Sequence, residues 1–211
     1  MEIIKINPQN PELEIIQKAA DVIRRGGAVV YPTDTVYGLG VDALKPYAVE
    51  RLFKIKKRPM TKPAPVLVKD IEMAKKLAFI DRKTEKILTE VWPGAVTVVL
   101  EKRNSVPEIL TGGKRTIGLR IADYQITQAL MEQLDTPLTA TSANFSGQAP
   151  FLCAEDIVRI FEKVYPRPDL ILDAGRLSAS QPSTLLDLTG PKPKILRVGP
   201  VSKEQLLEIL K

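Results

Sequence analysis

The chain has 211 residues, 44% of them hydrophobic, which is enough apolar mass to bury a real core and too much for a disordered polymer. Its 31 basic and 25 acidic residues leave a net charge of +6, a balance that favours polyanionic or phosphate-bearing partners. The absence of histidine removes Ser-His-Asp and Cys-His catalysis, imidazole acid–base work and His-ligated metals together, and Cys153, the single cysteine, excludes an internal disulfide and a Cys-rich zinc site.

The opening stretch MEIIKINPQN lacks a basic region followed by an apolar one, and no run approaches eighteen consecutive apolar residues. A cytoplasmic protein without membrane association is therefore the expectation. Residues 11–25 place Leu13, Ile16, Ala20 and Ile23 on one helical stripe, between Pro11 and the stop signal Gly26-Gly27. A buried strand at 28–31 leads into YPTDTVYGLG (31–40), a polar decade that is either an ordinary loop or the floor of a small-molecule site. Pro46 opens a second helix, followed by a strand at 64–68 and helices near 70–78 and 81–92. AVTVVLEK is the best strand pattern in the chain. After it come strand 115–121, helix 124–134, strand 137–141 and helix 154–164, then strands near 169–173, 184–188 and 194–198 and a terminal helix from 202. The alternation predicts an α/β or α+β fold, a mixed sheet flanked by helices, and no repeat or linker divides it, so a single domain over 1–211 is expected.

Three stretches carry candidate chemistry. From Arg51 to Lys62 the chain has Arg51, Lys54, Lys56, Lys57, Arg58 and Lys62 and no acid. Pro59 pushes Arg58 out of the helical region, so the helix should end near Lys57; in the extended segment beyond, Lys56 and Arg58 can point to one side. The competing reading is a solvated helix end whose cations favour the dipole. TATSANFSG (139–147) gathers hydroxyls and an amide at a strand end, where open α/β sheets bind ligands, and Ser142 and Asn144 can face the same crevice. Without histidine, Ser142 is a hydrogen-bonding group rather than a nucleophile, and a hydroxyl-rich turn is the plainer alternative. In TIGLRIA (116–122), Thr116, Gly118 and Arg120 share one strand face. An arginine there needs an anionic partner, from the protein or from a ligand, and ILRVG (195–199) repeats the pattern with Arg197. Two motif matches fail on context. Gly38-x-Gly40-x-x-Ala43 does not sit between a strand and an immediate helix start, and Gly112-Gly113-Lys114 is followed by Arg115 where a P-loop needs Ser or Thr.

Taken together, YPTDTVYGLG, IKKRP, TIGLRI, TSANFSG, DAGRLSASQPSTLLDL and ILRVG occur in the order and spacing of the YrdC/TsaC family, the threonylcarbamoyl-AMP synthases, which the chain resembles from about residue 10 to 200. The resemblance implies a twisted mixed sheet around a positively charged concave cavity. It implies nucleotidyl transfer: L-threonine, bicarbonate and ATP, with Mg²⁺ held mainly through the ATP phosphates, give L-threonylcarbamoyl-AMP and pyrophosphate. A downstream transferase uses the product for threonylcarbamoyladenosine in tRNA. By the same resemblance, Lys56 and Arg58 are the catalytic pair. ATP is approached by Lys56, Arg58, Lys62, Thr116, Ser142, Asn144, Pro150 and Arg197, and threonine by Thr35, Arg120, Ala140 and Ser183. The polar decade then floors the threonine pocket, its glycines letting backbone come close. Leu67 departs from the pattern, since many relatives carry histidine there, and the chain resembles the short, single-domain type. The main alternative is a non-catalytic RNA-binding or ribosome-associated module. Only 5% of residues are aromatic, which weakens RNA recognition by stacking. A third option, carbamoyl-adenylate chemistry of hydrogenase maturation, uses added modules for which this chain has no room.

Overall fold

The computed structural model describes residues 1–178 and 181–210. In chain order it runs β1 (Glu2–Lys5), α1 (Leu13–Arg24), β2 (Val29–Tyr31), β3 (Gly38–Gly40), α2 (Pro46–Lys56), β4 (Val66–Leu67), α3 (Ile71–Leu77), α4 (Arg82–Val91), β5 (Val96–Glu101) and α5 (Glu108–Thr111). It continues through β6 (Thr116–Arg120), α6 (Gln125–Glu132), β7 (Leu138–Thr139), β8 (Thr141–Ser142), α7 (Ala154–Phe161), β9 (Leu170–Asp173), β10 (Thr184–Asp187), β11 (Lys194–Arg197) and α8 (Lys203–Ile209). No helix among the described residues is long and apolar enough to cross a membrane.

The helices form where period and caps agree. Helix α1 buries Ile16, Ala19, Ala20 and Ile23, the spacing of one apolar stripe. Leu13 departs from that stripe: at the first helical position it is 58% exposed. Asp70 and Asp81 cap α3 and α4 by accepting from the backbone N–H of Met73 (2.6 Å) and Thr84 (2.7 Å), which satisfies donors that a helix start leaves open. Pro46 occupies the first turn of α2, where its missing N–H costs nothing.

The mixed α/β character is as the sequence predicts, but the strands form two mixed sheets rather than one. The first has the order β1-β9-β2-β3-β8 and the second β11-β10-β5-β6-β4-β7. The reason is visible at the stretch predicted as one strand over 137–141. It breaks at Ala140, whose N–H bonds the carbonyl of Pro65 (2.7 Å). β7, before the break, pairs with β4 in the second sheet, and β8, after it, pairs with β3 in the first. The chain therefore crosses between sheets within three residues.

β3 lies inside the polar decade and escapes sequence detection because two of its three residues are glycine, which weakens strand signals. The structure also corrects the reason for those glycines. They do not make room in a pocket; they make room for Tyr31. A Cβ on Gly38 would lie 2.8 Å from Cζ of Tyr31, and one on Gly40 would lie 2.7 Å from Cε1 of the same ring and 2.8 Å from the Leu138 side chain. The ring is fully buried, with its hydroxyl donating to the carbonyl of Thr139 (2.9 Å). Gly40→Ala is expected to cost about 1–3 kcal/mol, the usual penalty for overpacking a core. Urea denaturation measures it, and an unchanged midpoint would refute this account of the glycine.

Candidate active site

The site is built on one face of the second sheet. The register pairs Leu185 with Thr97 and Asp187 with Val99, then Val99 with Gly118 and Glu101 with Thr116. Alternation sends Val96, Val98, Leu100, Ile117, Leu119 and Leu186 into the core, where all are buried. The opposite set, Thr97, Val99, Thr116, Gly118, Leu185 and Asp187, floors a cavity of about 390 Å³. A second cavity of about 190 Å³ adjoins it, lined by Thr35, Val36, Arg120, Ala140, Thr141, Ser142 and Ser183 among others. The two share Arg58, Pro65 and Arg197.

Arg58 reaches this boundary because α2 ends abruptly. Lys57 takes the left-handed conformation (φ 49°), the N–H of Arg58 bonds the carbonyl of Phe53 (2.9 Å), and that of Lys57 bonds the carbonyl of Lys54 (3.1 Å). This pairing closes a helix C-terminus and turns the chain off the helix axis. A left-handed lysine costs about 1–2 kcal/mol against the helical conformation; its ammonium gains a position 4.5 Å from the Phe145 ring centroid. The Arg58 guanidinium is steadied by the carbonyls of Lys62 (3.3 Å) and Pro63 (2.7 Å).

Lys56 behaves differently, and the shared side expected for Lys56 and Arg58 is not found. The alternation rule requires both residues to lie in extended chain, but Lys56 is the last residue of α2. Its side chain is 1% exposed, and its ammonium donates to the carbonyls of Ser142 and Asn144 (the latter 2.8 Å) and to Asn144 Oδ1 (3.1 Å). Asn144 Oδ1 also accepts from the Ser142 hydroxyl (2.6 Å), and the N–H of Ser146 bonds the Lys56 carbonyl (2.8 Å). Lys56 thus pins the loop that presents Ser142. Burial, and secondarily the charge of Arg58, draws its pKa down to about 7, while three acceptor oxygens hold the charged form in place.

On the smaller cavity, Arg120 is 6% exposed and finds the anionic partner its burial requires in Asp34. Its Nε donates to the carbonyl of Gly94 (2.8 Å) and one terminal nitrogen to Thr35 Oγ1 (3.2 Å). A guanidinium has five N–H groups, so two remain after these three bonds. Thr33 organises the loop: its hydroxyl meets Thr35 Oγ1 (2.9 Å), donates to the carbonyl of Val36 (2.7 Å) and accepts from the N–H of Thr35 and Val36. Across the cavity, the Ser183 hydroxyl meets Thr97 Oγ1 (2.7 Å), and the Ser183 carbonyl accepts from Arg197 through Nε (3.2 Å) and a terminal nitrogen (2.7 Å).

Of the residues predicted for the site, Arg58, Thr116, Ser142, Arg197, Thr35, Arg120, Ala140 and Ser183 line the paired cavities. Lys56 and Asn144 lie beneath them as the buried support of Ser142. Lys62 offers its backbone to Arg58 while its side chain is exposed, and Pro150 is absent from the lining. Leu67 is buried in β4 opposite Arg120. The sequence reading did not single out Thr97, Val99 and Asp187, and it met Lys114 only in a rejected P-loop match; all four line the larger cavity. Strand period alone flags Thr97 and Val99 in AVTVVLEK, but it does not say which side of the sheet is hollow.

The Sua5/YciO/YrdC family model, described as "Telomere recombination", matches residues 21–199. A threonylcarbamoyl-AMP synthase of Pyrococcus abyssi is 36% identical over 196 residues, covering 92% of this chain and 57% of that protein. The crystal structure of Pyrococcus abyssi Sua5 with L-threonine is similar at a TM-score of 0.92 and 34% identity, over 100% of this chain and 61% of that one. The crystal structure of Escherichia coli YciO is similar at a TM-score of 0.88 and 32% identity, over 98% of this chain and 100% of that one. The chain thus spans about three-fifths of the length of the Pyrococcus protein and the whole length of YciO.

The lowered pKa of Lys56 sets a test of its burial. Between pH 7 and about 9 the unfolded chain, with lysine near 10.5, binds more protons than the folded one, so Lys56 makes stability rise with pH across this window. In Lys56→Met that contribution is gone. Urea midpoints taken from pH 7 to 9 should climb less steeply in the variant than in the parent; identical slopes would count against a depressed Lys56.

Proposed function

Because the chain belongs to the Sua5/YciO/YrdC family, we propose that it is an L-threonylcarbamoyladenylate synthase, a nucleotidyltransferase acting in the cytoplasm to supply threonylcarbamoyl groups to a tRNA-modifying transferase. The observation that carries the reading is the pair of adjoining cavities with Arg58 and Arg197 on their common boundary. The smaller has the size and polarity of an amino-acid pocket. Arg120 keeps two N–H groups beyond those given to Asp34, Thr35 and Gly94, which suits a bidentate grip on a carboxylate, and the Thr35 and Ser183 hydroxyls orient the rest of threonine. The larger takes the phosphates of ATP over Thr116.

The chemistry asks for position and charge more than for a protein nucleophile. The threonine amine and bicarbonate condense to a carbamate with loss of water; a carbamate oxygen attacks the α-phosphorus, and pyrophosphate leaves on the opposite side. Arg58 and Arg197, between the two cavities, stand where charge develops on the transferred phosphorus, and preorganised donors of this kind are the largest lever on such a step. Lys56 serves by fixing the Ser142–Asn144 loop. A chain without histidine loses nothing by this route.

Mg²⁺ fits the donor set as a guest of the nucleotide. Among the described residues no group of three or more His, Cys, Asp or Glu side chains could hold a metal, and Asp187 is the one carboxylate lining the cavities. Mg²⁺ keeps waters and takes one or two carboxylates beside phosphate oxygens, so Asp187 would hold it on the protein side. The ion supplies charge neutralisation on the phosphates.

The alternative, a non-catalytic RNA-binding module, rests on net charge, and a concave pair of cavities serves it poorly. Arg58→Ala and Arg197→Ala should each lower adenylate formation about a hundredfold, the usual worth of one electrostatic contact to a transition state. The assay is mass spectrometry of reactions containing ATP, threonine and labelled bicarbonate. Full activity in both variants would refute the site. Pyrophosphate released without threonine or without bicarbonate would point to a plain ATPase.

A further inference from the structure

The cavity contains a cation that this mechanism does not use. Lys114 lines the larger cavity with Arg58, Thr116, Asp187 and Arg197. Among the described residues its ammonium has no hydrogen-bond or ion-pair partner, whereas Arg58 is engaged by Lys62 and Pro63, and Arg197 by Ser183.

The backbone that carries Lys114 is not a loose tether. Gly112 and Gly113 take positive φ (59° and 77°) at the end of α5. A Cβ on Gly112 would lie 2.5 Å from the carbonyl oxygen of Thr61, so this turn packs backbone against backbone and admits only glycine there. The N–H groups of Gly113 and Lys114 bond the carbonyls of Glu108 (3.1 Å) and Thr111 (3.1 Å). An exposed lysine on an anchored turn is held at the rim of the cavity with all its donors free.

Its place along the chain gives it a role. Thr116 and Gly118 line the larger cavity from β6 and Arg120 the smaller, and Lys114, two residues before β6 begins, lines the larger cavity at most about 20 Å along the chain from Arg120. The order along that line is Lys114 and Thr116 in the larger cavity, then the Arg58 and Arg197 boundary, then Arg120 in the smaller. In-line transfer at phosphorus needs the attacking and leaving oxygens on opposite sides. With the amino acid at Arg120, the leaving group departs toward Lys114.

We infer that Lys114 binds the β and γ phosphates of ATP and the pyrophosphate they become, a positioning residue for the leaving group. The inference rests on the synthase reading. It separates Lys114 from the arginines: Lys114 acts on the pyrophosphate half of the nucleotide and not on AMP or threonine.

The test is calorimetry with inorganic pyrophosphate and, separately, AMP, on the parent chain, Lys114→Met and Lys114→Arg, together with steady-state kinetics. Losing one charge-assisted contact at an exposed site should weaken pyrophosphate about tenfold in Lys114→Met and raise KM for ATP to match. AMP affinity and KM for threonine should stay at parental values, and Lys114→Arg should retain pyrophosphate binding. Lys114 is exposed and unpartnered, so melting temperatures should coincide. Parental pyrophosphate affinity in Lys114→Met, or equal weakening of pyrophosphate and AMP, would overturn the inference and leave the synthase reading standing. A parent chain that binds no pyrophosphate and forms no adenylate overturns both.

Discussion

Arg120 leaves β6 on the second sheet and pairs with Asp34 in the loop that joins β2 to β3 of the first, so an ion pair between a buried arginine and a partly buried aspartate spans both sheets at the smaller cavity. A guanidinium taken out of water is tolerated only when it is paired and hydrogen-bonded, and breaking such a pair typically costs about 3–5 kcal/mol because a buried charge is left behind. The position of the Thr33–Val36 loop therefore follows from the need to neutralise Arg120. The same need keeps Thr35 and the spare N–H groups of Arg120 on one pocket wall.

A second buried cation does comparable work at the other rim. Lys56 ties the end of α2 to the Ser142–Asn144 loop, and that loop follows the point where the chain passes from the second sheet to the first. With Lys56 below and Arg120 across, the walls are set before any ligand arrives. Preorganisation of this kind places the cavity-lining groups, half-buried Arg58 at the helix end and exposed Arg197 on β11, without spending ligand binding energy on ordering them. Of these four cations, Lys56 and Arg120 hold the walls, and Arg58 and Arg197 face both cavities.

Gly26 ends α1 as its place in the sequence suggests, but two other sets of glycines have uses the sequence does not. Gly38 and Gly40 yield their side-chain space to Tyr31, a packing matter of the first sheet, whereas Gly112 lets the turn before Lys114 lie against the backbone of Thr61. The first is a contact between neighbouring antiparallel strands, closed over by Leu138, and the second joins parts of the chain far apart in sequence. Local pattern cannot announce them.

What the sequence determined by itself was everything governed by local periodicity and punctuation. Helix α1 follows from its stripe, the end of α2 from Pro59, and the alternation of Thr116, Gly118 and Arg120 from strand period. The family motifs added Ser142, Ser183 and Arg197 to one site. The tertiary structure alone decided that the strands form two sheets, since the break at Ala140 depends on a bond to Pro65 some 75 residues earlier. It alone decided which sheet face is hollow, that Asp34 answers Arg120, and that Lys56 points under the site rather than into it. The physical reason is common to all four. Each is a contact between residues distant along the chain, fixed by desolvation and pairing of buried polar groups, and those energies exist only once the sheets have come together.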